Sequence, residues 1–137
     1  MKKILIVEDD KNLSLAWTIR LTAAGYDVSV SPDGFRGFTS AVTQKPDLIL
    51  MDIWMPIANG FAVAEDLERV DLGEIPIIFT TASRKSGLRE RAQEVGAAGF
   101  LEKPVTSAKL LATIASTLER AKTTKLECNQ PRQNRPD

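Results

Sequence analysis

The chain has no histidine, a single cysteine and a single tyrosine among its 137 residues. Without histidine there is no Ser-His-Asp or Cys-His engine and no His-ligated zinc site. If phosphoryl or acyl chemistry occurs, a carboxylate must act as nucleophile or a partner must bring the histidine. The lone Cys128 cannot form an internal disulfide, which fits a reducing compartment and reads as an incidental free thiol. Long hydrophobic runs are missing too. No stretch approaches the roughly 18 apolar residues of a membrane span. Ile4 to Val7, behind Met1-Lys2-Lys3, falls short of a signal-peptide core of about 7–15 residues. The expectation is a cytoplasmic protein with no membrane contact. Charge of one sign is also lacking, because 18 basic and 18 acidic residues balance. No broad footprint for direct nucleic-acid binding follows from that balance.

The residues that are present alternate short apolar runs with amphipathic segments. Apolar content is 43% and charged content 26%, ordinary values for one globular domain of this length. Strands are expected at 3–7, 27–30, 47–51, 77–80 and 99–101. Between them, Leu13, Ala16, Trp17, Leu21 and Ala24 recur at helical spacing, and Gly25 stops that helix. Asp33 caps a helix over 34–44, which Lys45-Pro46 breaks. Gly60 opens a third helix carrying Phe61, Ala64, Leu67 and Val70. Ser83 or Ser86 starts a fourth with Leu88, Ala92 and Val95 inward. Thr106 or Ser107 caps a fifth with Leu110, Leu111, Ile114, Ala115 and Leu118. Five strand-then-helix repeats with right-handed crossovers give an α/β fold, an open doubly wound parallel sheet. The domain is expected over 1–121. Residues 122–137 are polar, bear proline and lack apolar period, and they read as a disordered tail.

Two of the buried runs end in acid: Ile4-Leu5-Ile6-Val7 leads into Glu8-Asp9-Asp10, and Leu48-Ile49-Leu50-Met51 into Asp52. In open α/β sheets the ligand lies beyond the carboxyl ends of the strands. Thr80, Thr81 and Lys103 fall at such ends as well. Carboxylates brought together there repel one another, which implies a cation. Acids, hydroxyl and ammonium together suit an oxygen-ligated Mg²⁺ and a phosphoryl group, with Asp52 placed to attack phosphorus.

At these residues the chain resembles the receiver domain of two-component response regulators. The likeness rests on Val7-Glu8-Asp9, Asp52-Ile53-Trp54-Met55-Pro56 with Gly60, Thr81-Ala82 and Lys103-Pro104, and spans residues 2–120. It implies a flavodoxin-like sheet in the order 2-1-3-4-5 with five helices. Asp52 would be the phosphoacceptor and Asp9 a direct ligand of Mg²⁺, with Mn²⁺ as a substitute. Glu8 would act on the metal through water, and the Trp54 backbone carbonyl would complete the set. Thr81 and Lys103 would hold phosphoryl oxygens, and the Lys103–Pro104 peptide would be cis. The donor would be a phosphohistidine on a sensor histidine kinase or a histidine phosphotransfer protein. Phe100 would be the aromatic partner of Thr81 in a switch read by proteins on the face of helix four, strand five and helix five. The regulator would be a monomer or a phosphorylation-dependent dimer. Trp54, two places past Asp52, is expected to overhang the site and hinder the hydrolytic water.

Plainer readings stand beside these. Asp10 is expected as a helix N-cap, Thr80 as a strand-end hydroxyl bonded to backbone, and Trp17 as a packing residue. Phe100 could be static core, and Arg84, Lys85, Arg89 and Arg91 a solvated basic surface. A haloacid-dehalogenase-type phosphatase would need its nucleophile where Glu8 stands. A flavodoxin would need a hydroxyl-rich first loop, and a nucleotide binder a glycine-rich one. The remaining alternative is a degenerate receiver that acts as an interaction module without being phosphorylated.

Overall fold

The computed structural model describes residues 1–128. Five parallel strands, β1 (Lys3–Val7), β2 (Asp27–Ser31), β3 (Leu48–Asp52), β4 (Ile77–Thr81) and β5 (Gly99–Glu102), lie in the order β2-β1-β3-β4-β5. They alternate with helices α1 (Lys11–Ala23), α2 (Gly34–Gln44), α3 (Gly60–Arg69), α4 (Leu88–Glu94) and α5 (Ser107–Cys128). This is the expected flavodoxin-like, doubly wound architecture. Strand order reverses at β1 and β3, so their carboxyl ends flank the crevice where such folds take ligands.

The central strands are buried on both faces, which explains their unbroken apolar runs. Leu5, Val7, Ile49, Met51 and Phe79 pack under α2, α3 and α4, with Phe61 set edge-on to Phe79 at 5.0 Å between ring centres. Ile4, Ile6, Leu48, Leu50 and Ile78 pack on the other face with Trp17, Leu21, Leu110 and Ile114. Burying each such side chain contributes about 1.5–3 kcal/mol.

Helix starts follow local side-chain chemistry. Asp10 Oδ1 accepts from the amides of Asn12 and Leu13, and Asp33 Oδ1 from Arg36. Thr106 Oγ1 accepts from the Lys109 amide, so the fifth cap is Thr106 and not Ser107. The fourth helix departs from expectation. Gly87 adopts φ 88°, a left-handed conformation, and α4 begins only at Leu88, after Ser83 and Ser86. Ser83 is held in the preceding turn, where its hydroxyl accepts from the Lys85 amide.

Ala16, Ala24, Val70 and Ala115 were expected on the inward apolar stripes, yet all four are exposed. Ala24 and Val70 are C-caps, past the last helical residue, so the helical period no longer aims them at the core. Ala16 and Ala115 neighbour the buried Trp17 and Ile114 in sequence but fall on the exposed side of their helices. Helix α5 runs on through residue 121 to Cys128. No proline or glycine interrupts 107–128, and Thr123 Oγ1 bonds back to the Glu119 carbonyl. Backbone propagation thus outlasts the apolar stripe. The rest of the expected tail, 129–137, lies outside the described residues.

Candidate functional site

Three carboxylates meet at the carboxyl end of the sheet. Glu8 and Asp9 follow β1, Asp52 ends β3, and one oxygen from each lies within 4.8 Å of the others. Glu8 and Asp52 are buried, whereas Asp9 is exposed. The Asp10 cap fixes the turn on one side, and its amide donates to Glu8 Oε2 at 3.1 Å. Gly60 fixes the other side. A Cβ there would meet the Asp52 carbonyl oxygen at 2.7 Å, and the Gly60 amide bonds the Ile53 carbonyl. A larger residue would push β3 out of place.

Lys103, just beyond β5, closes the cluster. Its Nζ donates to Glu8 Oε1 at 2.6 Å and stands 3.5 Å from Asp52 Oδ1. The side chain is 16% exposed, so the pair with Glu8 is largely desolvated. The Lys103–Pro104 peptide is cis. Burial first, and then the Glu8 charge, push the Asp52 carboxyl from 3.8 up to about 6, against the pull of Lys103. One ammonium does not offset three acids. The residual repulsion and an all-oxygen donor set fit a hard divalent cation.

Thr81 is fully buried, and its hydroxyl accepts from the Ser83 amide at 3.0 Å. Thr80 corrects its expected role: the Oγ1 is buried without any hydrogen-bond partner, so it is no backbone-bonded hydroxyl. Parallel register sets Thr80 directly beside Asp52 and leaves its side chain on the dry α1–α5 side of the sheet. Phe100 is half-buried on β5 and capped by the Arg89 guanidinium, 4.6 Å from the ring centre. Arg84 and Arg89 both reach the Glu102 carboxylate, at 3.1 and 3.8 Å. The expected basic surface is therefore largely paired, with Arg91 joined to Glu65 and Glu94. Trp54, two residues past Asp52 in the chain, is 47% exposed.

Two groups near the cluster were not singled out for it from the sequence. Arg89 was read as surface charge and Trp17 as packing, yet Trp17 presents its ring 6.0 Å from Lys103 Nζ. The Trp17–Lys103 contact leaves no local signal because it joins segments far apart in the chain, and the Arg89–Phe100 contact leaves none because it depends on how α4 packs against β5.

A doubly wound sheet that gathers three acids, a lysine and a hydroxyl at its switch point defines a phosphoryl-handling signalling domain of the receiver class. The response regulator receiver domain matches residues 4–115, and the chain belongs to that family. It is 36% identical over 121 residues to the DNA-binding dual master transcriptional regulator RpaA of Synechocystis, covering 88% of this chain and 50% of that protein. Against the transcriptional regulatory protein CusR of Escherichia coli K12 identity is 37% over 118 residues, 86% of this chain and 52% of that protein. The chain spans about half the length of these curated relatives. The solved chemotaxis protein CheY4 of Vibrio cholerae superposes with a TM-score of 0.80 at 28% identity, covering 85% of this chain and 98% of that one. Among the described residues no helix is long and apolar enough to cross a membrane.

Proposed function

We propose that Asp52 is the phosphoacceptor of a two-component phosphorelay, taking its phosphoryl group from a histidine on a sensor kinase or phosphotransfer protein. The observation that carries this reading is the convergence of Glu8, Asp9, Asp52 and Lys103 at one sheet edge. Ionised Asp52 attacks phosphorus, an O–P bond forms, and the donor's N–P bond breaks with the electron pair leaving on the imidazole. Lys103 is poised to leave Glu8 for a phosphoryl oxygen. Asp9, Asp52 and the Trp54 carbonyl would hold Mg²⁺, with Glu8 acting through water, and the ion would screen charge on the transferring group.

Thr81, whose hydroxyl accepts from the Ser83 amide, keeps its own proton to donate to the new phosphoryl group, and a move towards that group pulls on the Ser83 bond and the turn leading into α4. Phe100 then has reason to turn inward, away from Arg89. The two states differ in contacts, as any two-state signal requires. The surface of α4, β5 and α5 is the reading's partner face, and it leaves both a monomer and a phosphorylation-dependent dimer available.

Incubation with Mg²⁺ and a small phosphodonor, followed by intact mass, tests the proposal. A gain of one phosphoryl group that Asp52→Ala abolishes supports it. An unmodified wild-type mass would favour an interaction module that is never phosphorylated.

A further inference from the structure

We propose that Trp17 is a positioning residue for Lys103: its indole face gives the ammonium a second, non-directional anchor between Glu8 and Asp52. This rests on the reading of Lys103 above and adds a residue that carries no motif.

The geometry has three parts. Lys103 Nζ lies over the Trp17 ring at 6.0 Å from its centre, while it bonds Glu8 at 2.6 Å and stands 3.5 Å from Asp52. Trp17 is only 5% exposed, packed with Ile4, Ile6, Leu48, Leu50 and Leu101. Its placement is tied to the acids themselves, because the Asp10 cap that starts α1 directly follows Glu8 and Asp9. One turn therefore sets both the carboxylates and the indole.

Packing alone does not account for the arrangement. Any large apolar side chain would fill the space under the sheet, but only an aromatic face attracts a cation, and indole does so most strongly. The attraction is broad, unlike a charge-assisted hydrogen bond with its fixed donor direction. A lysine that must pass from Glu8 to a phosphoryl oxygen on Asp52 needs such a guide, since it gives up one bond before making the next. At 6.0 Å the contact lies at the outer edge of the effective range, so it steers the ammonium without clamping it. The Lys103 side chain is only 16% exposed, so its ion pairs are weakly screened.

The experiment uses Trp54→Phe as parent, leaving Trp17 as the one tryptophan of the two in the chain. Fluorotryptophans incorporated at Trp17 weaken the charge of the ring face stepwise and hardly change its shape. Phosphoryl uptake from acetyl phosphate with Mg²⁺ is followed by intact mass, beside Trp17→Phe, Trp17→Leu and Lys103→Met. The rate should fall in step with fluorination, reaching about fivefold for the most fluorinated ring. Trp17→Phe, whose ring attracts a cation more weakly, should be slower than the parent but faster than Trp17→Leu, which should be slow although folded. Emission of Trp17 should shift in Lys103→Met. A rate that ignores fluorination, with Lys103→Met inactive, overturns the role of Trp17 while leaving that of Lys103 intact. Uptake undisturbed by Lys103→Met overturns both. If Trp17→Leu fails to fold, the fluorination series still decides.

Discussion

Asp52→Asn should make the unphosphorylated protein more stable at neutral pH, although it destroys the proposed acceptor. The Asp52 carboxyl is raised from 3.8 to about 6, chiefly by burial and then by the Glu8 charge. That is a shift of about 2 units, and at 1.36 kcal/mol per unit the ionised form costs the fold about 3 kcal/mol. Solvent reaching the mouth of the site trims this to about 2 kcal/mol. The sign follows from the direction of the shift. The folded protein holds the proton more tightly, so between about pH 4 and pH 6 its stability falls as pH rises. Asparagine keeps the shape and the carbonyl oxygen facing Lys103 but carries no charge. Urea denaturation in EDTA should therefore give Asp52→Asn an advantage of about 2 kcal/mol at pH 7.5, shrinking towards zero near pH 4. Thermal melts should show roughly 8 °C at the higher pH. Equal stabilities at pH 7.5, or a gap that does not close on acidification, would refute the claim of a strained, uncompensated acid cluster. Mg²⁺ adds an independent arm, because binding to the wild type should narrow the gap at pH 7.5.

Three further outcomes follow from the geometry. Thr80→Val removes a buried hydroxyl that has no partner, and should stabilise the fold by about 1 kcal/mol in chemical denaturation; a loss of stability would mean the hydroxyl is bonded. Trp54→Asn should shorten the aspartyl-phosphate half-life if the half-exposed indole hinders the hydrolytic water, and an unchanged or longer half-life in phosphate-release kinetics contradicts that. Arg89→Ala removes the cation from the Phe100 ring and should raise the inward population of Phe100 about two- to fivefold before any phosphorylation, read from its ring NMR shifts. Identical shifts with and without the arginine would show that the stack does not hold the ring.

Much of the fold was legible because its signals are local or periodic. Asp10 and Asp33 cap helices by bonding amides two or three residues on, which needs nothing from the rest of the molecule. Buried parallel strands announce themselves as unbroken apolar runs, and their ends delivered Glu8, Asp52, Thr81 and Lys103 to one edge. Legibility failed where tertiary contacts decide. Thr80 and Thr81 look alike in sequence, and only register and pleat put one beside Asp52 and the other against the Ser83 amide. The start of α4 depends on a left-handed Gly87, which a serine-rich turn disguises. Trp17 and Lys103 lie at opposite ends of the chain, so no spacing rule pairs them; only the packing of α1 beneath the sheet does.

Hydride trapping tests the acceptor assignment most directly. After treatment with Mg²⁺ and a phosphodonor, borohydride reduces an acyl phosphate to an alcohol, which converts the modified aspartate to homoserine. Peptide mapping should then find homoserine at position 52 and nowhere else, and none when the donor or Mg²⁺ is left out. Trapped product at Asp9 or at another acid, or none at all from a folded protein, would contradict Asp52 as the phosphoryl acceptor.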